Sequence, residues 1–207
     1  GTDGRSPQGK LAEFGGKLYG TCYRGGIDDN GTIFEFDPNT NTFSVRVFFD
    51  GTRGRNPNAG LTVYNGKVYG VASIGGANGA GTLFEYLPLA NGLIKRADFD
   101  INTTGAYPRG GLVAYNNKLY GLTHWGIDVY SGKPYEYDIA TMVLTPKIEL
   151  STPLGRYAVS GMTLVNNKLY GMTNIGGDEL FGGVLFEYDP ATNNYTKKIN
   201  FNGANGR

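Results

Sequence analysis

Lys67-Val68-Tyr69-Gly70 decides the reading of this chain, because its pattern, Lys-aliphatic-Tyr-Gly, occurs four times. The other copies are Lys17-Leu18-Tyr19-Gly20, Lys118-Leu119-Tyr120-Gly121 and Lys168-Leu169-Tyr170-Gly171, at steps of 50, 51 and 50 residues. A second marker keeps the same beat: Phe34-Glu35-Phe36, Phe84-Glu85-Tyr86, Tyr135-Glu136-Tyr137 and Phe186-Glu187-Tyr188. Two markers in phase across four copies define an internal repeat, and a repeat of this length fixes the architecture.

Within the second copy, runs rich in Val, Tyr, Phe and Thr alternate with turn dipeptides, the signature of strands and hairpins. Leu61 to Tyr64 and Lys67 to Ser73 are strands joined by Asn65-Gly66, a two-residue turn that requires positive φ. Thr82 to Tyr86 is a third strand, and Leu93 to Phe99 a fourth. In other copies the last turn reads Asp37-Pro38-Asn39-Thr40-Asn41 and Asp189-Pro190-Ala191-Thr192-Asn193, where Pro presets φ and Asp bonds its own backbone. Each copy is expected to be a four-stranded antiparallel meander, with blades at about residues 9-58, 59-109, 110-159 and 160-207 of a single repeat domain. A lone meander leaves two partly apolar faces uncovered, and radial repetition into an all-β, propeller-like array covers them. A straight stack of sheets is the alternative.

Composition agrees. Of 207 residues 34 are glycine, and only 18% are charged, so long helices are not expected. Fifteen Tyr, 11 Phe and one Trp supply a core. The net charge of +1 argues against a nucleic-acid or anionic-membrane surface, which needs a basic patch. One cysteine, Cys22, and one histidine, His124, leave no disulfide framework and no site needing two imidazoles. Neither a metal nor a cofactor is expected. Asp28-Asp29-Asn30 lacks the alternating oxygen spacing of a calcium loop.

Arg-x-Pro before the first strand, Leu-Tyr-Gly in the second, Gly-Gly after it and Asp-Pro-x-Thr-Asn before the fourth resemble the kelch repeat. The Gly-Gly-x-x-x-x-Gly-Thr-Leu-Phe-Glu-Tyr portion is closer to the Gly-rich GloVer repeats of secreted bacterial proteins. That resemblance covers nearly the whole chain and implies a propeller and export, so an extracellular or cell-surface location, without implying one activity. The third copy departs from the pattern: Trp125-Gly126 stands where Gly25-Gly26 does, Pro134 replaces a hydrophobic residue, and Ala106 replaces the Arg. The two ends fall at one phase of the period, compatible with a closed four-blade ring, a piece of a larger ring, or a homodimer of half-rings.

Glu35, Glu85, Glu136 and Glu187 each lie between two aromatics, and a buried carboxylate needs a cation. Arg55, Arg156 and Arg207 follow a glutamate by 20 residues, and Arg5 has the same phase. Arg–Glu structural pairs are expected, with Glu85 taking Arg109 or backbone donors. The loops after the second strand differ in every copy, and such loops carry ligand contacts. Candidate ligand-binding residues are His124, Trp125, Asp128 and Tyr130 in the third copy, Asp28 and Asp29 in the first, and Asp178 and Glu179 in the fourth. Trp and Tyr flanked by polar groups suit stacking on a sugar ring. No Gly-x-Ser-x-Gly elbow accompanies His124, and no catalytic residue is assigned. The reading is a secreted or cell-surface binding or scaffold module for carbohydrate or protein. A glycan-processing hydrolase or lyase using Asp128 or Glu179 is one alternative, and a structural spacer in a large exported protein is another.

Overall fold

The tightest local constraint is the turn that opens each repeat. Gly15-Gly16, Asn65-Gly66, Asn116-Asn117 and Asn166-Asn167 all place both residues at positive φ, between 48° and 77°. This is the two-residue hairpin geometry whose twist matches that of the flanking strands. The computed structural model describes residues 2–179, 181–202 and 204, and its chain divides into two units.

The first unit comprises the chain up to Asp100 together with Gly110–Leu112. It holds two four-stranded antiparallel meanders. In the first, β1 (Arg5–Phe14), β2 (Lys17–Arg24), β3 (Thr32–Asp37) and β4 (Thr42–Phe48) lie in chain order; in the second, so do β5 (Thr62–Tyr64), β6 (Lys67–Ala72), β7 (Thr82–Leu87) and β8 (Gly92–Asp98). One core joins the two sheets: Tyr19, Ile33, Val47 and Phe49 from the first pack with Leu61, Val68, Phe84, Tyr86 and Leu93 from the second. The Phe49 and Phe84 rings meet at 5.3 Å and those of Tyr19 and Tyr86 at 5.7 Å. Each such side chain contributes about 1.5–3 kcal/mol by leaving water, and neither sheet buries them alone.

The second unit comprises Ile101–Arg109 and the chain from Val113 onward. Its first sheet is again a meander: β9 (Ala106–Tyr115), β10 (Lys118–Trp125), β11 (Lys133–Asp138) and β12 (Val143–Pro146). Its second has five strands rather than the expected four. The opening strand is split into β13 (Arg156–Ala158) and β14 (Thr163–Val165), both paired to β15 (Lys168–Ile175), with β16 (Val184–Asp189) and β17 (Asn194–Asn200) following. Tyr120 and Leu122 pack with Ala158, Met162, Leu169, Val184, Phe186 and Tyr188 in its core.

The opening strands begin ahead of the boundaries that spacing alone suggests, β1 at Arg5, β9 at Ala106 and β13 at Arg156. The physical reason is that the segment at the phase of Arg5-Ser6-Pro7 itself pairs with the end of the second strand: Arg5 opposite Arg24, Ala106 opposite Trp125, Arg156 opposite Ile175. The fold is all-β and propeller-like, a series of four antiparallel sheets of the kind that form propeller blades. Among the described residues no helix is long and apolar enough to cross a membrane.

Candidate functional site

The third repeat gathers aromatic side chains in a way its neighbours do not. Trp125 ends β10 opposite Ala106, the register position that Arg24, Ile74 and Ile175 hold against Arg5, Arg55 and Arg156. It is therefore not a stand-in for Gly25, as spacing suggested. The repeat has lost one glycine of the Gly-Gly pair, and Gly126 faces Glu149 as Gly76 faces Asp98 and Gly177 faces Asn200. The loop keeps the length it has in the first two repeats, and Tyr130 lies beside Trp125.

Ring centroids separate Tyr107 and Trp125 by 4.5 Å, Trp125 and Tyr130 by 6.2 Å, Tyr130 and Tyr157 by 5.0 Å, and Tyr157 and His124 by 4.0 Å. Tyr107, Tyr130 and Tyr157 have φ of 55°, 74° and 63°. The same backbone positions are left-handed in other repeats, at Ser6 and Asn56 for Tyr107 and Tyr157 and at Asp29 and Gly79 for Tyr130, so the conformation belongs to the repeat and the tyrosines to this site. His124 is buried beneath the cluster, with Nδ1 3.1 Å from the Ala158 carbonyl oxygen. Burial holds its pKa below the usual value; the Ala158 bond opposes this and the nearby Arg109 charge adds to it. The Trp125 indole Nε1 and Arg109 Nε are buried donors with no acceptor among the described residues.

The loop is clasped by Glu149. Its Oε1 accepts hydrogen bonds from Ile127 N at 2.8 Å and Ser131 Oγ at 2.6 Å, and Lys133 Nζ lies 3.6 Å from its Oε2. Burial raises the Glu149 pKa, but these bonds and the Lys133 charge outweigh it and hold the carboxyl low. The next repeat clamps the same loop: Tyr157 N donates to Tyr130 O at 2.8 Å and Arg156 Nη2 to Val129 O at 2.6 Å. Asp128 holds the loop through its backbone, its carbonyl accepting Ser131 N and Oγ.

The other loop candidates lie apart from this cluster. Asp28 is exposed in the first unit. The Asp29 carboxylate binds Arg5 at 2.7 Å and Gly25 N at 2.7 Å, with Arg24 at 3.6 Å; the Arg5 hydrogen bond above all lowers its pKa. Asp178 pairs with Lys197 at 2.5 Å and with the Asn200 amide. Glu179 is exposed and its carbonyl accepts Gly182 N. Among the described residues no group of three or more His, Cys, Asp or Glu side chains is placed to hold a metal.

The four glutamates are buried and ion-paired, but Arg5, Arg55 and Arg156 are not their partners. Glu35 takes Lys17 at 2.5 Å and Arg46 at 2.7 Å; Glu85 takes Lys67 at 3.4 Å and Arg96 at 2.7 Å, in place of Arg109. Glu136 takes Lys118 at 2.8 Å and Lys147 at 3.0 Å, and Glu187 takes Lys168 at 2.8 Å and Lys198 at 3.0 Å. Every partner belongs to the adjacent strands of the same sheet except Lys147, which directly follows β12. Arg5 and Arg156 serve the loops instead, Arg55 is exposed, and Arg207 lies outside the described residues. Burial pushes the Glu35 carboxyl up, yet the bonds from Arg46, Lys17 and Tyr19 bring it down to about 2. The Lys168 bond, with Tyr170 and Lys198, brings Glu187 to about 2 as well.

The model of the Gloeobacter/Verrucomicrobia repeat matches residues 6–207. No curated protein matches the chain. Among solved structures, the extracellular domain of a proposed one-component system from B. thetaiotaomicron is 13% identical, with a TM-score of 0.60, over 95% of this chain and 24% of that one. TolB from Acinetobacter baumannii is 14% identical, with a TM-score of 0.60, over 100% and 45%. A protein of unknown function from Bacteroides thetaiotaomicron is 12% identical, with a TM-score of 0.57, over 91% and 42%. The chain thus spans less than half the length of each of these structures, and the likeness is one of fold.

Proposed function

The chain belongs to the Gloeobacter/Verrucomicrobia repeat family, and from that premise we propose that it is an extracellular, non-enzymatic binding module whose third repeat holds a carbohydrate. The observation that carries the reading is the cluster of Tyr107, Trp125, Tyr130 and Tyr157 over His124, which brings four large rings and an imidazole into mutual contact. Mutually braced rings on a clasped loop are pre-organised, and pre-organisation lowers the entropic cost of binding. Tyr130 is 41% exposed and offers an apolar face with a polar edge, which suits a sugar ring. The extracellular setting is supported by one fold neighbour that is itself an extracellular domain.

A glycan array with wild type, Trp125→Ala and Tyr130→Ala tests the reading. The expected result is binding to at least one glycan that falls about tenfold or more in both variants. An array on which every bound glycan ignores both substitutions overturns the site, release of products from a polysaccharide overturns the non-enzymatic reading, and binding of proteins without glycans overturns the ligand class.

A further inference from the structure

We propose that the first unit carries a second, independent saccharide site, a cleft built around Phe48 that takes a neutral sugar. The cleft has a volume of about 360 Å³ and is lined by Ile27, Asp28, Phe48, Asp50, Arg53 and Asn91 among others. That volume is at the small end of ligand pockets, the range of one or two sugar rings.

The repeat exposes why Phe48 is unusual. Phe48 pairs with Thr32 as Asp98 pairs with Thr82 and Asn200 with Val184, and Glu149 falls at the same phase. In the last three repeats the polar side chain at this phase is consumed by the loop after the second strand. Asp98 accepts Ala77 N at 2.8 Å, Glu149 accepts Ile127 N at 2.8 Å, and Asn200 accepts Asp178 N at 3.2 Å. In the first repeat Asp29 ties the loop down through Gly25 N and Arg5. The anchor at position 48 is thereby dispensable, and a phenylalanine 38% exposed stands in its place.

The polar lining selects the ligand. Arg53 is engaged by Asp50 at 2.8 Å, and Arg46 by Glu35 at 2.7 Å, a carboxylate it shares with Lys17, so both cations of the lining are held in ion pairs and Asp28 is the charged side chain left free on the rim. An anionic ligand meets repulsion there and finds its cations already engaged. A neutral polyol donates hydroxyls to Asp28, accepts from the Asn91 amide, and lays its C–H face on Phe48. Hydrogen bonds to charged groups contribute the most among such contacts.

The test measures binding of neutral gluco-, manno-, xylo- and galacto-oligosaccharides, and of uronate oligosaccharides, to wild type, Phe48→Ala, Asp28→Asn and Trp125→Ala by calorimetry. The expected result is a neutral oligosaccharide whose binding persists in Trp125→Ala and weakens about tenfold or more in Phe48→Ala and several-fold in Asp28→Asn. Asp28→Asn, at an exposed position, keeps the test decisive should Phe48→Ala fold poorly. The proposal is overturned if no neutral oligosaccharide binds in the Trp125→Ala background, if neither variant changes the affinity, or if only uronates bind. Loss in Trp125→Ala alone rejects this site, whereas an oligosaccharide lost only in the two first-unit variants supports it and leaves the third-repeat site to the glycans that Trp125→Ala releases.

Discussion

The Phe84 ring lies across Gly70, its directly paired residue on the neighbouring strand. A Cβ on Gly70 would stand 2.5 Å from Phe84 Cζ and 2.8 Å from Leu61 Cδ2. Phe34 covers Gly20, Tyr135 covers Gly121 and Phe186 covers Gly171 in the same manner, so the two repeating markers are one device. The glycine of each Tyr-Gly is the floor on which the aromatic of the next strand rests.

Gly70→Ala is therefore expected to destabilise by about 1–3 kcal/mol through overpacking. The sign is informative, because Gly→Ala on free strand surface stabilises slightly by restricting the unfolded chain. Gly92, whose added Cβ would meet nothing closer than 3.7 Å, is the control and is expected to be neutral or better as alanine. Urea denaturation of the two variants decides it; equal midpoints would remove the packing argument.

The glutamate pairs give a second contrast. Glu85 is 2% exposed and held by Arg96 and Lys67, so Glu85→Gln is expected to cost about 1.5–3 kcal/mol. Arg55→Ala, at an exposed position, is expected to stay within about 0.5 kcal/mol of wild type. A large loss at Arg55 in the same denaturation experiment would restore it as a structural partner.

Acid should act through the same carboxylates. Glu35 and Glu187 are held at about 2 in the fold, against about 4.3 in an unfolded chain. Their contribution is full above about pH 4.5 and is lost as pH falls toward 2, because the unfolded state takes up protons first. Melting temperature is expected to drop across that window, and Glu35→Gln with Glu187→Gln should flatten the drop. An unchanged slope in the double variant would assign acid sensitivity to other groups.

The sheets were legible in the sequence because one register, repeated four times, averages out local ambiguity. The turns were equally legible, since Asn65-Gly66 and Asn166-Asn167 admit few backbone shapes. The ion pairs were not. Glu35 lies opposite Tyr19 and Ser44, so its partners are the same-face residues two further along, Lys17 and Arg46. Seeing this needs the pairing register, which spacing does not supply. A signal existed nonetheless: a cation follows each glutamate by 11 residues in all four repeats. In the third repeat His124, Trp125 and Tyr130 stood out as a departure from the pattern. Tyr107 and Tyr157 join them only through sheet pairing, and Glu149 reaches the loop from beyond β12, so neither contact is local in sequence.

Glu149 offers a prediction about the loop itself. Glu149→Ala removes the acceptor of Ile127 N and Ser131 Oγ while leaving the aromatic rings in place chemically. Stability is expected to fall by only about 1–2 kcal/mol, whereas glycan affinity should fall about tenfold, the share that pre-organisation supplies. Full affinity in this variant would mean that the loop needs no clasp.

His124 supplies the last prediction, in a window distinct from that of the glutamates. It is 3% exposed, and the groups that face it are the Arg109 side chain from β9, the Tyr157 ring and Ala158 carbonyl from β13, and Trp125 on its own strand. None is an anion that would welcome an imidazolium. Burial keeps its folded pKa below the ordinary 6.5, so the unfolded chain binds the proton first as pH falls through about 6.5. Stability therefore declines on acidification from about pH 7 to pH 5, before the carboxylates respond, and the aromatic cluster above His124 should loosen with it. His124→Gln keeps a donor for the Ala158 carbonyl but cannot take up a proton in that range, so it should level both the melting temperature and the glycan affinity between pH 7 and 5. If the variant retains the wild-type slope in either measurement, the imidazole is not the group that titrates.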